Sequence, residues 1–359
     1  MNTTATPVRV GLVGYGFAGR TFHAPLIGAV PGLRLCAVAS RHPEKVAADV
    51  PGAWVSADPL AVATSGAVDL VVVATPNDTH APLARAAIEA GKHVVVDKPF
   101  ALDLAEARGL IALAQRRKVL LSVFHNRRWD SDFLTLRNAI AQQWVGEVVH
   151  FESHIDRFRP QVRDRWREAG GPGSGLWFDI GPHLVDQALQ LFGLPERVHG
   201  NLARLRTGAL ADDWAHVVLD YPERRVVLHA GMLAAGGTHR FTVHGREGTL
   251  VKPGADRQEA QLLAGMRPGQ PGWGADPDEL LVYRGQEPVR AVAATAGDQA
   301  AYYRGVLDAL NGNAAQLVTA QQALGVMAVL QAAADSADAH AAVGIALTPA
   351  ERASWARTP

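Results

Sequence analysis

The chain has 359 residues and only one cysteine, Cys36. A single cysteine cannot form a disulfide within the chain, and it cannot contribute to a cysteine-rich zinc site. Cys36 lies in the apolar run 33–39, a setting that favours a small buried side chain over a reactive thiol. Disulfide scaffolds and zinc-finger modules are therefore excluded.

The sequence also lacks an excess of charge, because 35 lysine and arginine residues balance 35 aspartate and glutamate residues. This balance gives no electrostatic reason to expect a nucleic acid or an anionic membrane as partner. No run comes near the ~18 apolar residues of a transmembrane helix. The stretch from Met1 to Arg9 has no apolar signal core, so we expect a cytoplasmic protein.

The composition is that of a globular protein, with 48% hydrophobic and 19% charged residues. Its length favours about two domains. Apolar segments alternate with helix-forming segments up to residue 124, which is typical of a doubly wound parallel sheet. The expected strands of this first domain, residues 1–124, are 8–13, 33–39, 68–74, 94–96 and 120–124.

From His125 onward the pattern changes to longer, partly alternating strands separated by turn signals. This pattern predicts a second α/β domain, residues 125–359, with an open and mostly antiparallel sheet. Two helices, near 298–310 and 320–337, complete the chain and can pack back on the first domain. Residues 252–298 are rich in glycine, proline and aspartate and are expected to be loop-like. The expected strands of the second sheet are 147–155, 197–205, 214–221, 225–233 and 240–244.

A glycine-rich loop directly follows the first strand. It reads Gly14, Tyr15, Gly16, Phe17, Ala18, Gly19. The strand–loop–helix order is that of a dinucleotide site, in which the glycines allow a tight turn, close approach to the pyrophosphate and close helix packing. The free N–H groups of the following helix favour the anion. The loop therefore predicts a bound dinucleotide.

The end of the second strand indicates which dinucleotide. An NAD-selective site usually places an acid about 20 residues after the glycine loop, but Ser40 and Arg41 stand there instead. A guanidinium and a hydroxyl suit a 2′-phosphate. We therefore expect NADP(H) to be preferred over NAD(H); the alternative is that Arg41 is simply solvated.

Two later strands end in polar residues. One is followed by Thr75, Pro76, Asn77 and, shortly after, His80; the other ends in Asp97 and Lys98 before Pro99. Ligands of open α/β sheets bind outside the carboxyl ends of the strands. Lys98 could therefore donate a charged hydrogen bond to a ligand, although taken alone it could also be a solvated lysine at a strand end.

The second domain contains a glycine-rich hinge at 170–175, followed by Asp179 and His183. Their spacing places both side chains on one face of a helix, and Pro182 requires that the helix begin close by. The alternatives are a simple N-cap with a buried histidine, or two metal ligands. No third ligand is evident at metal-site spacing, so no metal is expected there. The arginines between 157 and 167 are interleaved with acids, which favours a solvated rim over an anion-binding surface.

Together, these motifs resemble the glucose–fructose oxidoreductase/inositol dehydrogenase/rhizopine catabolism (Gfo/Idh/MocA) family over essentially the whole chain. Further strings, at 22–26, 124–130 and 156–160, are similar to those of bacterial NADP-dependent scyllo-inositol dehydrogenases. One departure is Asp97, where the family usually has glutamate.

The resemblance implies a catalytic set of Lys98, Asp179 and His183, and substrate contacts that also include Arg128 and Asp156. It implies that Thr75, Pro76, Asn77, His80, Asp97 and Lys98 belong to the cofactor site. It further implies an NAD(P)-dependent dehydrogenase or reductase that acts on a secondary alcohol or ketone of a cyclitol, sugar or polyol, as a homodimer or homotetramer. The competing class is a dinucleotide- or sugar-binding sensor on the same fold, since fold does not fix function.

Overall fold

The computed structural model describes residues 6–356. The outer ends of the two expected domains, 1–5 and 357–359, lie outside the described residues. Within 6–356, no helix is both long enough and apolar enough to span a membrane.

Six parallel strands form the first sheet. They are β1 (Val8–Val13), β2 (Leu33–Ala39), β3 (Trp54–Ser56), β4 (Leu70–Val73), β5 (His93–Val96) and β6 (Leu121–Val123). Their order is β3-β2-β1-β4-β5-β6. The valine-rich strands β4 and β5 lie inside the sheet and are almost wholly buried, as expected for strands covered on both faces. The predicted doubly wound sheet is confirmed.

Five helices accompany this sheet. They are α1 (Ala24–Gly28), α2 (Pro43–Asp49), α3 (Pro59–Ala63), α4 (His80–Glu89) and α5 (Leu104–Arg117). A π-turn, Gly19–His23, leads into α1. The chain reverses its winding direction between β1 and β4, which pair directly, and ligands of open α/β sheets bind at such a switch point. Gly14, Thr75 and Lys98 follow β1, β4 and β5, so they meet at this edge of the sheet.

The second sheet has nine strands. They are β7 (Val148–Asp156), β8 (Arg197–Ala203), β9 (Trp214–Tyr221), β10 (Arg224–Gly231), β11 (Phe241–Gly245), β12 (Gly248–Lys252), β13 (Leu280–Tyr283), β14 (Arg290–Val292) and β15 (Val343–Gly344). Their order is β14-β13-β12-β11-β7-β10-β9-β8-β15. Only β7 and β10 pair in parallel, so the predicted mostly antiparallel sheet is confirmed.

Between residues 125 and 356, the structure has six further α-helices. They are α6 (Ser131–Ala141), α7 (Leu176–Phe192), α8 (Gln258–Leu263), α9 (Ala300–Leu310), α10 (Ala320–Ala339) and α11 (Pro349–Ala356). α7 and α10 pack on one face of the second sheet. Alternate residues of β7, His150, Glu152, His154 and Asp156, point to the opposite face, which we call the open face. The first three are only partly buried, whereas the side chain of Asp156 is buried.

The expectation of a loop over 252–298 is wrong, because α8, β13 and β14 lie within it. These elements have six residues or fewer and lie between glycine- and proline-rich turns. Their apolar patterns are therefore too short to be recognised in the sequence. Leu280 and Val282 are nonetheless core residues. Helix α11 was also not expected. The C-terminal helix α9 does pack on the first domain, where the Tyr303 hydroxyl lies 2.6 Å from His23 Nδ1. The domain boundary after residue 124 stays a prediction.

Candidate active site

The glycine loop lines a cavity of about 700 Å³ at the carboxyl edge of the first sheet. Gly14 has φ +103°, and a Cβ there would lie 2.6 Å from the Ala74 carbonyl oxygen, so only glycine fits. A Cβ on Gly19 would lie 2.1 Å from the Gly14 oxygen, whereas one on Gly16 would meet nothing within 4 Å. Gly14 and Gly19 therefore shape the loop, and Gly16 leaves open space beside it.

Residues predicted from separate parts of the sequence meet in this cavity. Tyr15, Phe17 and Ala18 line it beside the glycines, and so do Ser40, Arg41, Thr75, Pro76 and Asp97. Lys45, Trp166 and Arg167, which the sequence did not assign to a cofactor site, also line it. Lys45 adds a second cation near Arg41, and its place in the first turn of α2, soon after Arg41, was the available signal. The Ser40 hydroxyl accepts a hydrogen bond from the His42 N–H, which shapes the turn after β2.

A second cavity, of about 370 Å³, contains the expected catalytic residues. It shares Phe17, Ala18, Asp97 and Arg167 with the glycine-loop cavity, so the two cavities adjoin. We call it the catalytic cleft. A ligand bound along the glycine loop would therefore end beside Lys98, Asp179 and His183.

Lys98 and Asp179 form an ion pair across the two domains. The lysine Nζ donates to the Asp179 main-chain oxygen at 2.6 Å and to its Oδ1 at 3.0 Å. Arg167 Nε lies 3.2 Å from the same Oδ1. Burial alone would raise the pKa of Asp179, but Lys98 and Arg167 lower it well below its usual range. Asp179 is thus a carboxylate that holds the lysine at the cleft.

His183 lines the same cleft from α7. Burial lowers the pKa of its imidazole well below the ordinary value, and the positive charges of Lys98 and Arg127 lower it further. Its Nδ1 is buried without a hydrogen-bond partner among the described residues. Asp179 does not orient the ring, because its carboxylate is bonded to Lys98 and Arg167. His183 is therefore a neutral imidazole able to accept a proton.

The local shape of α7 differs from the expectation based on Pro182. The helix begins at Leu176, so Pro182 lies inside it and His183 lies beyond the first turn, while Asp179 is in the first turn. A distant loop caps the helix, because Asp212 Oδ2 accepts a hydrogen bond from the Trp177 N–H at 2.7 Å. The cap fixes the helix start at Leu176, and Pro182, which has no N–H to give to the Phe178 carbonyl, is accommodated inside the helix with one helical hydrogen bond fewer.

Asn77 and His80 take supporting positions. Asn77 Nδ2 donates to the Gly173 oxygen at 2.8 Å, which joins the first domain to the glycine-rich hinge. The two ring nitrogens of His80 lie 2.8 and 2.9 Å from the carbonyl oxygens of Pro99 and Thr75. Neither residue lines the described cavities. They brace the loops that carry Thr75 and Lys98.

The structure places two expected substrate-binding residues elsewhere. Arg128 is buried and forms a two-point ion pair with Asp186, at 2.9 and 2.6 Å, and also bonds Leu317 and Gln322. Its neighbour Arg127 lines the cleft instead. Asp156 points to the open face of the second sheet. We therefore correct the expectation that Arg128 and Asp156 contact the substrate, because neither side chain lines the cleft.

The arginines expected as a solvated rim line the catalytic cleft. They are Arg157, Arg159, Arg163, Arg165 and Arg167. Arg163 and Arg165 are paired with Glu168, and Arg167 with Asp179. Arg157 and Arg159 have no side-chain hydrogen bond or ion pair with any described residue. Their main-chain N–H groups bond Gly231 and Met232, at 2.9 and 2.7 Å, which fixes this segment against β10.

Family comparisons agree with this arrangement. Residues 8–125 match the oxidoreductase-family model for an NAD-binding Rossmann fold, and residues 137–345 match the model for the C-terminal α/β domain of the same family.

The chain belongs to the Gfo/Idh/MocA oxidoreductase family.

Individual Gfo/Idh/MocA relatives cover nearly the whole chain. The uncharacterized oxidoreductase YdgJ of Escherichia coli is 52% identical over 342 residues, which cover 94% of this chain and 99% of YdgJ. The scyllo-inositol 2-dehydrogenase (NADP(+)) IolW of Bacillus subtilis is 35% identical, with 92% and 93% covered. A Klebsiella pneumoniae crystal structure described as an oxidoreductase superposes with a TM-score of 0.93 at 55% identity, covering 98% and 99% of the two chains.

Within the Gfo/Idh/MocA family pattern, Asp97 is the departure noted in the sequence. Its shorter side chain is buried and lines both cavities. Burial opposes its charge, but His23 and Lys98 nevertheless lower the pKa of this carboxyl to about 2. Asp97 thus keeps the negative charge that the usual glutamate would bring next to Lys98.

Proposed function

We propose that this oxidoreductase is an NADP(H)-dependent dehydrogenase or reductase that interconverts a secondary alcohol and a ketone on a sugar, cyclitol or related polyol. The observation that carries the proposal is that the two cavities adjoin, which brings the glycine loop next to Lys98 and His183. The relative IolW, a scyllo-inositol 2-dehydrogenase by name, supports this substrate class.

The residues of the glycine-loop cavity fit a dinucleotide. The open space beside Gly16 leaves room for a pyrophosphate close to the backbone, and Arg41 and Lys45 supply cations at the end of β2. Gly14 to Gly19, Thr75 and Pro76 would hold the cofactor. When bound, the nicotinamide supplies the hydride acceptor or donor.

The residues of this chain would handle the proton and the charge. In the oxidative direction, neutral His183 accepts the proton of the substrate hydroxyl as the O–H bond breaks. Lys98 donates a hydrogen bond to the same oxygen and stabilises its alkoxide character. In the reductive direction protonated His183 returns the proton. Asp179 holds Lys98 in place, and the negative charge of its carboxylate keeps the ammonium at the cleft.

The unpaired arginines favour a narrower substrate class. Five of the seven cationic side chains that line the cleft are paired with acids, but Arg157 and Arg159 are not. Burial lowers the pKa of Arg157, so an unpaired charge there is costly, and an anion would offset that cost. A polyol derivative that bears a carboxylate or phosphate is therefore our second candidate substrate, alongside neutral polyols.

A paired substrate panel tests both candidates. Neutral sugars and cyclitols, and their uronate and phosphate counterparts, would be offered with NADP(H) and NAD(H) while reduced nicotinamide is followed by absorbance. If the arginines bind the substrate, Arg157→Gln and Arg159→Gln raise KM for the acidic members and leave KM for the cofactor unchanged. A raised KM for NADPH instead assigns the arginines to the cofactor phosphates. The matched control is Arg204→Gln, an exposed arginine outside the cleft.

The competing class, a sensor that binds dinucleotide without turnover, predicts a different outcome of the same panel. It would show saturable NADPH binding and no change in reduced nicotinamide with any member, in either direction. We further propose a cytoplasmic location and a homodimer or homotetramer, with a small molecule rather than a nucleic acid or membrane as partner.

A further inference from the structure

A row of histidines crosses the open face of the second sheet. His154, His229 and His216 lie directly opposite one another on β7, β10 and β9. Asp156 follows on the same face of β7, where a Cβ added at Gly231 would lie 3.1 Å from its Oδ1. None of these side chains lines the glycine-loop cavity or the catalytic cleft, so the proposed hydride transfer does not use them.

Three of these residues converge. His154, Asp156 and His229 each offer a ligand atom, and the three atoms lie within 4.8 Å of one another. The side chain of Asp156 is only 2% exposed, yet its Oδ1 has no hydrogen-bond partner among the described residues. Nδ1 of His154 is also buried without a partner.

The contacts within the group do not satisfy these atoms. His229 Nε2 lies 3.4 Å from Asp156 Oδ1, and His154 Nδ1 lies 3.7 Å from Asp156 Oδ2. Both distances exceed the 2.7–3.2 Å typical of an N–H···O hydrogen bond. Buried polar atoms without partners are costly, so the group has unused capacity to bind a ligand that accepts lone pairs.

An outer layer of hydrogen bonds holds two of these ligands. Nε2 of His154 lies 3.0 Å from Glu152 Oε2, and Asp156 Oδ2 accepts a hydrogen bond from the Thr238 hydroxyl at 2.6 Å. These bonds occupy His154 Nε2 and Asp156 Oδ2, which leaves His154 Nδ1 and Asp156 Oδ1 available to a ligand between the three side chains. A carboxylate behind a histidine is the arrangement that orients metal-bound imidazoles.

We propose that His154, Asp156 and His229 bind one divalent transition-metal ion on the open face. Two imidazoles and a carboxylate suit zinc or cobalt(II), which leaves a fourth position for water. The ion would join the C-terminal ends of the parallel strands β7 and β10. Because Arg157 and the Gly231 main chain follow directly, it would brace the base of the arginine segment without entering the cleft.

The test is a metal titration of the full chain without an affinity tag, after chelator treatment. We expect about one zinc per chain by calorimetry, as required of a three-residue site, and visible cobalt(II) absorption typical of tetrahedral coordination. Asp156→Asn and His229→Gln should each weaken zinc binding at least tenfold, and Glu152→Gln by about 10- to 100-fold. His244→Gln, an exposed histidine of the same face, is the control and should bind as the wild type does.

A wild-type protein that binds no stoichiometric zinc would overturn the proposal, and so would undiminished binding by both folded ligand variants. Circular dichroism establishes that each variant is folded. Since the readout is metal binding without cofactor or substrate, failure here is distinct from failure of the proposed oxidoreductase activity.

Discussion

At the residue scale, the surroundings of His183 in the cleft lower the pKa of its imidazole. Burial and the charges of Lys98 and Arg127 disfavour the imidazolium, so the proton leaves at lower pH than from a free histidine. A base with a lowered pKa stays competent in more acidic solution. We therefore expect the acid limb of kcat/KM for alcohol oxidation to lie below the ordinary histidine value of 6.5, as a pH–rate profile would show. An acid limb at or above that value would contradict this environment for His183.

Arg41 carries the second prediction at this scale. A charge-assisted contact contributes roughly 1.5–3 kcal/mol, so the wild type should prefer NADP(H) by about tenfold or more. Arg41→Ala should lose most of that preference, measured as kcat/KM for both cofactors. Arg34→Ala, an exposed arginine near the other end of β2, is the matched control. Undiminished NADP preference in Arg41→Ala would remove its proposed role.

The motifs of the sequence predicted that Lys98, Asp179 and His183 lie together, and the structure places them in one cleft; their catalytic roles stay a prediction. Arg127 and Arg128 could not be distinguished, because both lie in the 3-10 turn Asn126–Trp129 and adjacent residues of a turn point in different directions. For Asp156 a signal existed: alternation with the buried Phe151 and Ser153 assigns it to the opposite face.

At the scale of elements, α7 presents Asp179 and His183, and its start depends on a residue far along the chain. Asp212 accepts the Trp177 N–H through its side chain and the Leu176 N–H through its main-chain oxygen. Gly175 at the N-cap has φ +99°, and a Cβ there would lie 1.9 Å from Asp212 Oδ1. The helix start therefore requires both glycine and this aspartate.

Asp212→Ala should consequently destabilise the chain by about 1 kcal/mol, or roughly 2 °C in melting temperature. The expected cause is the loss of a cap, so Asp212→Asn should recover most of the difference. Asp335→Ala, an exposed aspartate of α10, is the control and should melt as the wild type does. Equal melting temperatures for Asp212→Ala and wild type would show that the cap contributes nothing measurable.

The elements that could be predicted share a long apolar pattern. All strands expected in the two sheets were found, because valine-rich or alternating segments of four or more residues are distinctive. The elements missed within 252–298 are short. Of these, β13 joins the sheet by pairing with β12, and β14 by pairing with β13. Such tertiary stabilisation leaves little trace in local sequence.

At the scale of the whole molecule, the two domains meet at the cleft and are joined again by the C-terminal helices. Tyr303 contacts His23 of the first domain, and the Tyr302 hydroxyl donates to Ser122 Oγ at 2.8 Å. Lys98 and Asn77 add direct bonds to the second domain. These contacts hold Lys98 of the first domain within hydrogen-bond distance of Asp179 of the second.

The open face leads to a prediction about assembly. Alternate residues of β7 and β9 on this face are mostly polar, so a partner chain would bury mainly histidines and acids rather than a large apolar patch. We still expect self-association through this sheet, as a dimer or tetramer at micromolar concentration by light scattering. Glu152→Arg together with Asp220→Arg, both on this face, should shift the mass toward the monomer. A wild type with the mass of a monomer would contradict the prediction.

We propose that Lys98 and His183 serve hydride transfer in the cleft. Steady-state turnover of His183→Ala, with a substrate found in the panel, tests this role, and NADPH binding is measured by fluorescence on the same preparation. We predict a loss of about 100- to 10,000-fold in kcat with unchanged NADPH affinity, and no loss in the His244→Ala control. The removal of a general base should leave about a hundredth of the wild-type rate or less. A folded His183→Ala variant that kept more than about half of that rate across neutral pH would show that His183 is not the base.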